Sequence, residues 1–175
     1  MNIPVLPVHS EGFKGTKKDG YKAACDALAA LMSRTRPPAA KIPKTINILG
    51  EFNIGGETWI IKEYYKAMGV QVMSVFTGDG RVEDIQQAAG ACLNVVQCSG
   101  ALIHLARWME KEYNIPYIRV SYFGIEDTAD ALYRVAEIFD DHPDIMEKTK
   151  DLVSRETLAI MDGLARMKKD LEGKK

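Results

Sequence analysis

The chain has 175 residues, of which 46% are hydrophobic and 27% charged, the balance of a globular protein that excludes wholesale disorder and leaves enough apolar side chain for a sizeable core. Lys and Arg number 23 against 24 for Asp and Glu, a net charge of -1, and no segment concentrates the positive charge needed to neutralise a row of phosphates, so nucleic acid is excluded as the main ligand. Three cysteines, Cys25, Cys92 and Cys98, show neither CxxC nor zinc-pair spacing, which excludes a disulfide framework and favours a reducing, cytoplasmic compartment. Met1 to Val8 is too short and proline-rich for a signal peptide, and no stretch approaches the ~20 apolar residues of a membrane span.

From the N-terminus, short β-branched runs alternate with amphipathic stretches, the pattern of an α/β protein with a Rossmann-like parallel sheet and helices on both faces. The expected strands are Val5 to Val8, Thr45 to Leu49, Val70 to Phe76, Leu93 to Gln97 and Tyr117 to Val120. The expected helices are Lys17 to Met32, Glu57 to Met68, Val82 to Ala89, Gly100 to Tyr113 and Asp127 to Phe139. In the fourth of these, Leu102, Leu105, Ala106 and Met109 recur at helical spacing and should cover the sheet, with Asn114 and Pro116 ending the helix. Ser33 to Lys44, carrying Pro37, Pro38 and Pro43, reads as an exposed crossing loop. Beyond His142 a long helix is expected from Pro143 as far as Gly173. The division is therefore an α/β domain over 1–140 and a C-terminal helical segment over 141–175. The chain opens directly on an extended segment and stops just after a glycine that ends a helix, so it reads as a piece of a longer subunit.

In a parallel sheet, ligands bind where the carboxyl ends of strands lead into helix N-termini. His9 to Gly12, Gly50 to Gly56, Thr77 to Arg81, Cys98 to Gly100 and Ser121 to Gly124 fall there. The run GEFNIGGE (Gly50 to Glu57) is neither GxGxxG nor a P-loop, since no Lys-Ser or Lys-Thr follows its glycines. Cys98 has two readings. A thiol between a strand end and a helix start is stabilised as the thiolate that binds iron, or it packs as a small hydrophobe. Cys25 and Cys92 read as packing residues and His104 as a solvated one. His9 suits a loop hydrogen bond as well as a metal. Asp79 orients a ligand or closes an Asx turn.

Taken together, VHSEGFKG (Val8 to Gly15), INILGEFNIGGE (Ile46 to Glu57), TGDGR (Thr77 to Arg81), LNVVQCSGALIHLARWMEKEYNIP (Leu93 to Pro116) and YFGIEDTADALY (Tyr122 to Tyr133) resemble the nitrogenase component 1 family, in family order and over nearly the whole chain. The resemblance implies the middle portion of an α-type subunit, without the N-terminal cluster cysteines and the C-terminal second anchor. In the family, the cysteine after the LNVV strand holds an end iron of the large iron–sulfur cofactor, and Cys98 occupies that position. Ser10, Glu11, Asp79 and Ser99 are the accompanying cofactor-binding candidates; no catalytic residue is assigned. Catalytic α-subunits carry Ser-Gln-Ser and Gly-His-His after the EGF motif, where this chain reads TKKDGYK with Gly20, Tyr21 and Lys22, and the histidine is missing. Molybdenum-type subunits place Tyr-Arg-Ser after the cysteine, where this chain has Ser99, Gly100 and Ala101. Losing a proton-donating or charge-stabilising group beside the cofactor is tolerable for assembly and damaging for substrate reduction.

The departures therefore imply a member that serves as a scaffold for biosynthesis of the iron–molybdenum cofactor. Its cargo would be an iron–sulfur precursor in the full-length complex, with none in the isolated piece. The implied partners are a β-like scaffold subunit completing a heterotetramer, an ATP-dependent iron protein, and the catalytic nitrogenase protein as recipient. A catalytic α-type subunit of a nitrogenase-like oxidoreductase and a metal-free small-molecule-binding module are the alternatives.

Overall fold

The computed structural model describes residues 5–9, 11–97 and 102–172. Its elements in chain order are α1 (Lys17–Met32), β1 (Thr45–Glu51), α2 (Glu57–Met68), β2 (Gln71–Thr77), α3 (Val82–Gln87), a 3-10 turn (Ala88–Gly90), β3 (Leu93–Gln97), α4 (Ile103–Tyr113), β4 (Tyr117–Val120), α5 (Gly124–Ile138) and α6 (Pro143–Leu171). The four strands form one sheet in the order β2-β1-β3-β4, with every pair parallel. The chain runs from β1 outward to β2 and then returns to the other side of β1, so β1 and β3 flank the point where the winding reverses.

Strand alternation divides the core in two. Ile46, Ile48, Val75, Leu93 and Val95 pack with Ile61, Tyr65 and Met68 of α2, Leu132 and Val135 of α5, and Ile145 and Leu152 of α6. Leu49, Phe76 and Val96 point the other way, into Cys25 and Met32 of α1, Ile85 of α3, and Leu105 and Met109 of α4. Each large apolar side chain so enclosed contributes roughly 1.5–3 kcal/mol relative to exposure. The second face also encloses a polar row with one residue from each of three strands. Asn47 donates through Nδ2 to Asn94 Oδ1 at 2.8 Å and to the Ala88 carbonyl of the 3-10 turn at 2.9 Å, while Ser74 Oγ donates to Asn47 Oδ1 at 2.8 Å.

The expected helices Lys17 to Met32 and Glu57 to Met68 are observed with those bounds. Helix α1 starts at Thr16, whose backbone N–H and hydroxyl both donate to the Asp19 carboxylate. Helix α2 lies between Gly56 and Gly69, both left-handed. Three expectations are corrected. Val5 to Val8 forms no strand: Pro7 has no N–H to give a ladder, and the described tie of this segment is an Arg34 Nη2 bond to the Val5 carbonyl at 3.4 Å. The helix expected over Val82 to Ala89 tightens into a 3-10 turn at Ala88. Helix α5 starts at Gly124 rather than Asp127, with Glu126 and Asp127 in its first turn, where acidic side chains favour the positive helix end. The 33–44 connection is mostly exposed as expected, but it is pinned at its end by Ile42 N–H to the Gly90 carbonyl and by Lys41 Nζ to the Ala89 carbonyl, each at 2.9 Å.

Candidate functional site at the carboxyl ends of the strands

The carboxyl end of β1 is built by a bulge. Leu49 pairs with Phe76 and Glu51 with Thr77, so Gly50 is the extra residue, held at φ 86 where only glycine is comfortable. The bulge turns Glu51 onto the face of Ile48, α2 and α5, although simple alternation would have sent it to the α1 face. Glu51 is 1% exposed. Its Oε1 accepts the Asn53 N–H at 2.6 Å, and its Oε2 is buried with no hydrogen-bond partner among the described residues.

The following loop folds around two more side chains. Asn53 Oδ1 accepts the Thr58 N–H at 3.3 Å, and the Glu57 carboxylate accepts the N–H groups of Ile54 and Gly55 at 3.2 and 2.6 Å. The N–H of Glu57 itself, then that of Gly55, a hydrogen bond with the Glu51 side chain and the Ile54 N–H hold the Glu57 pKa below the usual carboxylate range. The β2–α3 turn sits directly beneath this loop. Gly78 N–H donates to the Glu51 carbonyl at 2.9 Å, and a Cβ on Gly78 would come within 2.3 Å of the Phe52 carbonyl carbon, so the close approach requires glycine.

Gln97 ends β3 next to Gly50; its Oε1 is likewise buried without a partner among the described residues. Tyr122, after β4, meets Tyr65 of α2 hydroxyl to hydroxyl, with the rings edge to face at 85°. Burial raises the pKa of both phenols, and the nearby Glu51 charge adds to the rise at Tyr122.

Of the candidate ligands, Cys98, Ser10 and Ser99 lie outside the described residues. Glu11 is exposed and ion-paired to Lys14. Asp79 gives its carboxylate to Lys62 Nζ of α2 at 2.7 Å. The other two thiols stand elsewhere. Cys25 is buried between α1 and α4 with its pKa pushed up by burial, and Cys92 sits at the amino end of β3, donating to the Ile42 carbonyl at 3.1 Å. His104 is half-exposed and pairs with Asp26 at 3.1 Å, and His9 is exposed. No group of three or more His, Cys, Asp or Glu side chains able to hold a metal occurs among the described residues. Helix α4 begins at Ile103, and its N-cap Leu102 supplies no side-chain cap.

The model of the nitrogenase component 1 type oxidoreductases matches residues 1–175. The chain belongs to this family. It is 43% identical to the nitrogenase iron-molybdenum cofactor biosynthesis protein NifE of Methanosarcina barkeri over 99% of this chain and 39% of that protein. Its identity to the NifE of Clostridium pasteurianum is 44%, over 99% of this chain and 37% of that protein. The nitrogenase molybdenum-iron protein alpha chain of Methanosarcina barkeri is 33% identical, over 98% of this chain and 32% of its own length. The solved structure of nitrogenase Cp1 at pH 5 superposes with a TM-score of 0.80 at 32% identity, covering 93% of this chain and 32% of that one. The chain thus spans well under half the length of these relatives. No helix of the described residues is long and apolar enough to cross a membrane.

The sequence reading singled out the cysteine and missed the buried pair Glu51 and Gln97 and the joined tyrosines. One signal was available: a glutamate closing an otherwise uncharged, β-branched strand and preceded by glycine marks a bulge with a buried carboxyl.

Proposed function

We propose that this chain is part of a scaffold subunit on which the iron–molybdenum cofactor of nitrogenase is assembled, and that Cys98 holds an end iron of the precursor cluster. The observation that carries the reading is the ordering of relatives: 43% and 44% identity to cofactor biosynthesis proteins, against 33% to an alpha chain from one of the same organisms. Lys22 supports it. In the segment where catalytic subunits carry a histidine pair, Lys22 is exposed on α1 and its ammonium donates to Asp26 at 2.9 Å, a group that offers no proton near neutral pH.

The cluster is cargo, and the chain's contribution is one soft ligand and a polar surround. Cys25 and Cys92 are engaged away from the strand ends, so a thiolate for iron at the ligand end falls to Cys98, which directly follows Gln97 at the winding reversal. The positive N-terminal end of α4 favours negative charge there, which lowers the cost of thiolate and of an anionic cluster alike. Glu11 and Asp79 stand as further polar candidates, with Ser10 and Ser99. A β-like subunit, an ATP-dependent iron protein and the catalytic protein as recipient complete the proposed cycle.

The test uses the complete two-subunit scaffold. Cys98→Ala should cut bound iron and abolish cofactor transfer to the catalytic protein, while Cys25→Ala and Cys92→Ala leave both nearly intact. Unchanged iron and transfer in Cys98→Ala would sink the anchor role. Dinitrogen reduction at the rate of a catalytic protein would instead move the assignment to a catalytic α-type subunit.

A further inference from the structure

Helix α6 is 29 residues long, and its two halves stand in opposite relation to water. The first ten residues, Pro143 to Leu152, carry five charged side chains, while Ile145 and Leu152 are buried in the core shared with α2 and α5. The ten residues from Leu158 to Met167 carry only two charges, Asp162 and Arg166, yet none of the ten is buried. Leu158, Ile160, Met161, Leu164 and Met167 are between 42% and 64% exposed. By helical spacing, Ile160, Leu164 and Met167 continue the line of Val153 and Thr157, and Leu158, Met161 and Ala165 widen it sideways. The apolar arc here takes in about half the circumference and leaves Asp162 and Arg166 together on the other side. A half-helix that is less charged than the docked half, and more exposed, is not a solvated face.

The same face runs into a groove of about 520 Å³ between α2, α5 and α6, which Ile160 lines together with Ile60, Ile61, Leu132, Leu152 and Val153. Ile60 and Phe123 stand exposed at its mouth. The two charged residues that line it are already engaged: the Glu57 carboxylate accepts the Ile54 and Gly55 N–H groups, and Glu156 accepts from Arg155 at 3.1 Å. Groove and stripe form one apolar seam that follows α6 for roughly 21 Å, from Val153 to Met167. A small molecule seated in the groove would leave most of that length bare.

A seam of this extent needs cover whenever the helix is folded, because an open apolar patch on a free subunit is an aggregation site. A body on the same polypeptide gives permanent cover: its effective concentration is of millimolar order, and it escapes the association entropy that a separate partner must overcome. The relatives carry such a length of chain, since the matched part is only 39% and 37% of the two NifE proteins and the larger part of each lies outside it. We propose that α6 is shared between two bodies of one subunit. Its first half closes this sheet, and its second half, with the groove, seats the polypeptide that follows residue 175 in the complete subunit. The inference uses none of the cysteines and stands whether the subunit is a scaffold or a catalytic chain.

The test places the photoreactive residue p-benzoylphenylalanine at Leu164 of the complete subunit, irradiates the subunit alone and in its two-subunit assembly, and maps the crosslinked peptides by mass spectrometry. Crosslinks within one polypeptide, to residues beyond 175 and in both samples, are the expected result. Crosslinks to the partner subunit would give the seam to that partner, crosslinks between identical chains would give it to a second copy, and crosslinks to the part preceding Met1 would give it to the other end of the chain. Each of these overturns the proposal, and so does the absence of any crosslink outside 1–175. Limited proteolysis of the complete subunit supplies a second readout. Ile160→Asp puts a carboxylate into the seam and should speed cleavage within α6 at least about tenfold, because cleavage follows the free energy of local opening. Arg166→Ala, on the charged side of the same stretch, should change it by less than about twofold. Cleavage unaffected by Ile160→Asp, or accelerated equally by both substitutions, also overturns the proposal.

Discussion

The two faces of the sheet use buried polar groups differently. On the α1/α3/α4 face, Asn47, Ser74 and Asn94 join three neighbouring strands into one hydrogen-bonded row beneath the 3-10 turn, with Asn94 Nδ2 the one atom of the row without a partner among the described residues. On the α2/α5/α6 face, Glu51 and Gln97 reach the end of the sheet with acceptor oxygens unmatched among the described residues. The first arrangement specifies register, because a strand slipped by one residue would move an amide to the other face and break the row. The second gives no such return to the fold. A polar group that stability does not explain, at the carboxyl end of central strands, is where binding belongs.

The largest test of this contrast is Asn47→Leu. It strands the Ala88 carbonyl, Asn94 Oδ1 and Ser74 Oγ together, and we expect a loss of about 4 kcal/mol in urea unfolding. Glu51→Gln, which removes a charge but no paired donor, should change stability by less than about 1 kcal/mol or raise it. Comparable losses in the two variants would erase the distinction between the faces.

Next comes Tyr122→Phe, which leaves the buried Tyr65 hydroxyl without its partner and should cost about 1–2 kcal/mol at neutral pH. The pH dependence gives the sharper reading. Both phenols have pKa values raised above 10.0 by burial. Neutral phenol is thus favoured in the folded state, its stabilisation whole below pH 10 and lost as pH rises from there toward the folded values. The variant has one fewer group in that linkage, so its stability should fall less steeply above pH 10 by up to about 1.4 kcal/mol per pH unit. Parallel curves would mean that Tyr122 ionises freely in the folded protein.

Gly50→Ala comes third. Its φ of 86 and the 3.1 Å approach of a Cβ to the Gln97 carbonyl oxygen predict a loss of about 1–2 kcal/mol. The register Glu51 to Thr77 should be the local casualty, and hydrogen exchange at Gly78, whose N–H donates to the Glu51 carbonyl, reports it.

Much of the architecture was legible in the sequence because local signals agreed with tertiary packing. Thr16 with Asp19 starts α1, and Gly56 and Gly69 bracket α2, so both helices have the bounds their patterns imply. The strand order follows from winding and not from any local signal. Val5 to Val8 misled because an extended, β-branched run lacks meaning without a partner edge. The end of β1 misled for a deeper reason. A charged residue after Leu49 reads as loop, and only the Gly50 bulge keeps the ladder going to Glu51. Cys98 is singled out by motif order alone and lies outside the described residues. The acceptor corner was not, since Glu51, Gln97, Tyr65 and Tyr122 belong to separate elements that topology brings together.

The smallest effect probes the surface of the closed face. Asp26 on α1 receives Lys22 at 2.9 Å and His104 of α4 at 3.1 Å, and the Lys22 hydrogen bond, with help from His104, holds its pKa below the usual carboxylate value. A lowered folded pKa means stabilisation present above the unfolded value of 3.8 and lost as pH falls through the folded one. The side chains are about half exposed, so solvent and salt screen the interaction, and Asp26→Asn should cost only about 0.5 kcal/mol at pH 7 and low salt. The deficit should shrink in 1 M NaCl and vanish in acid below the folded pKa, where the wild-type carboxyl is neutral as well. A deficit that persists in acid would show Asp26 acting through packing. A deficit as large as that of Asn47→Leu would place the strength of this face on its surface ion pairs rather than on the row of amides beneath it.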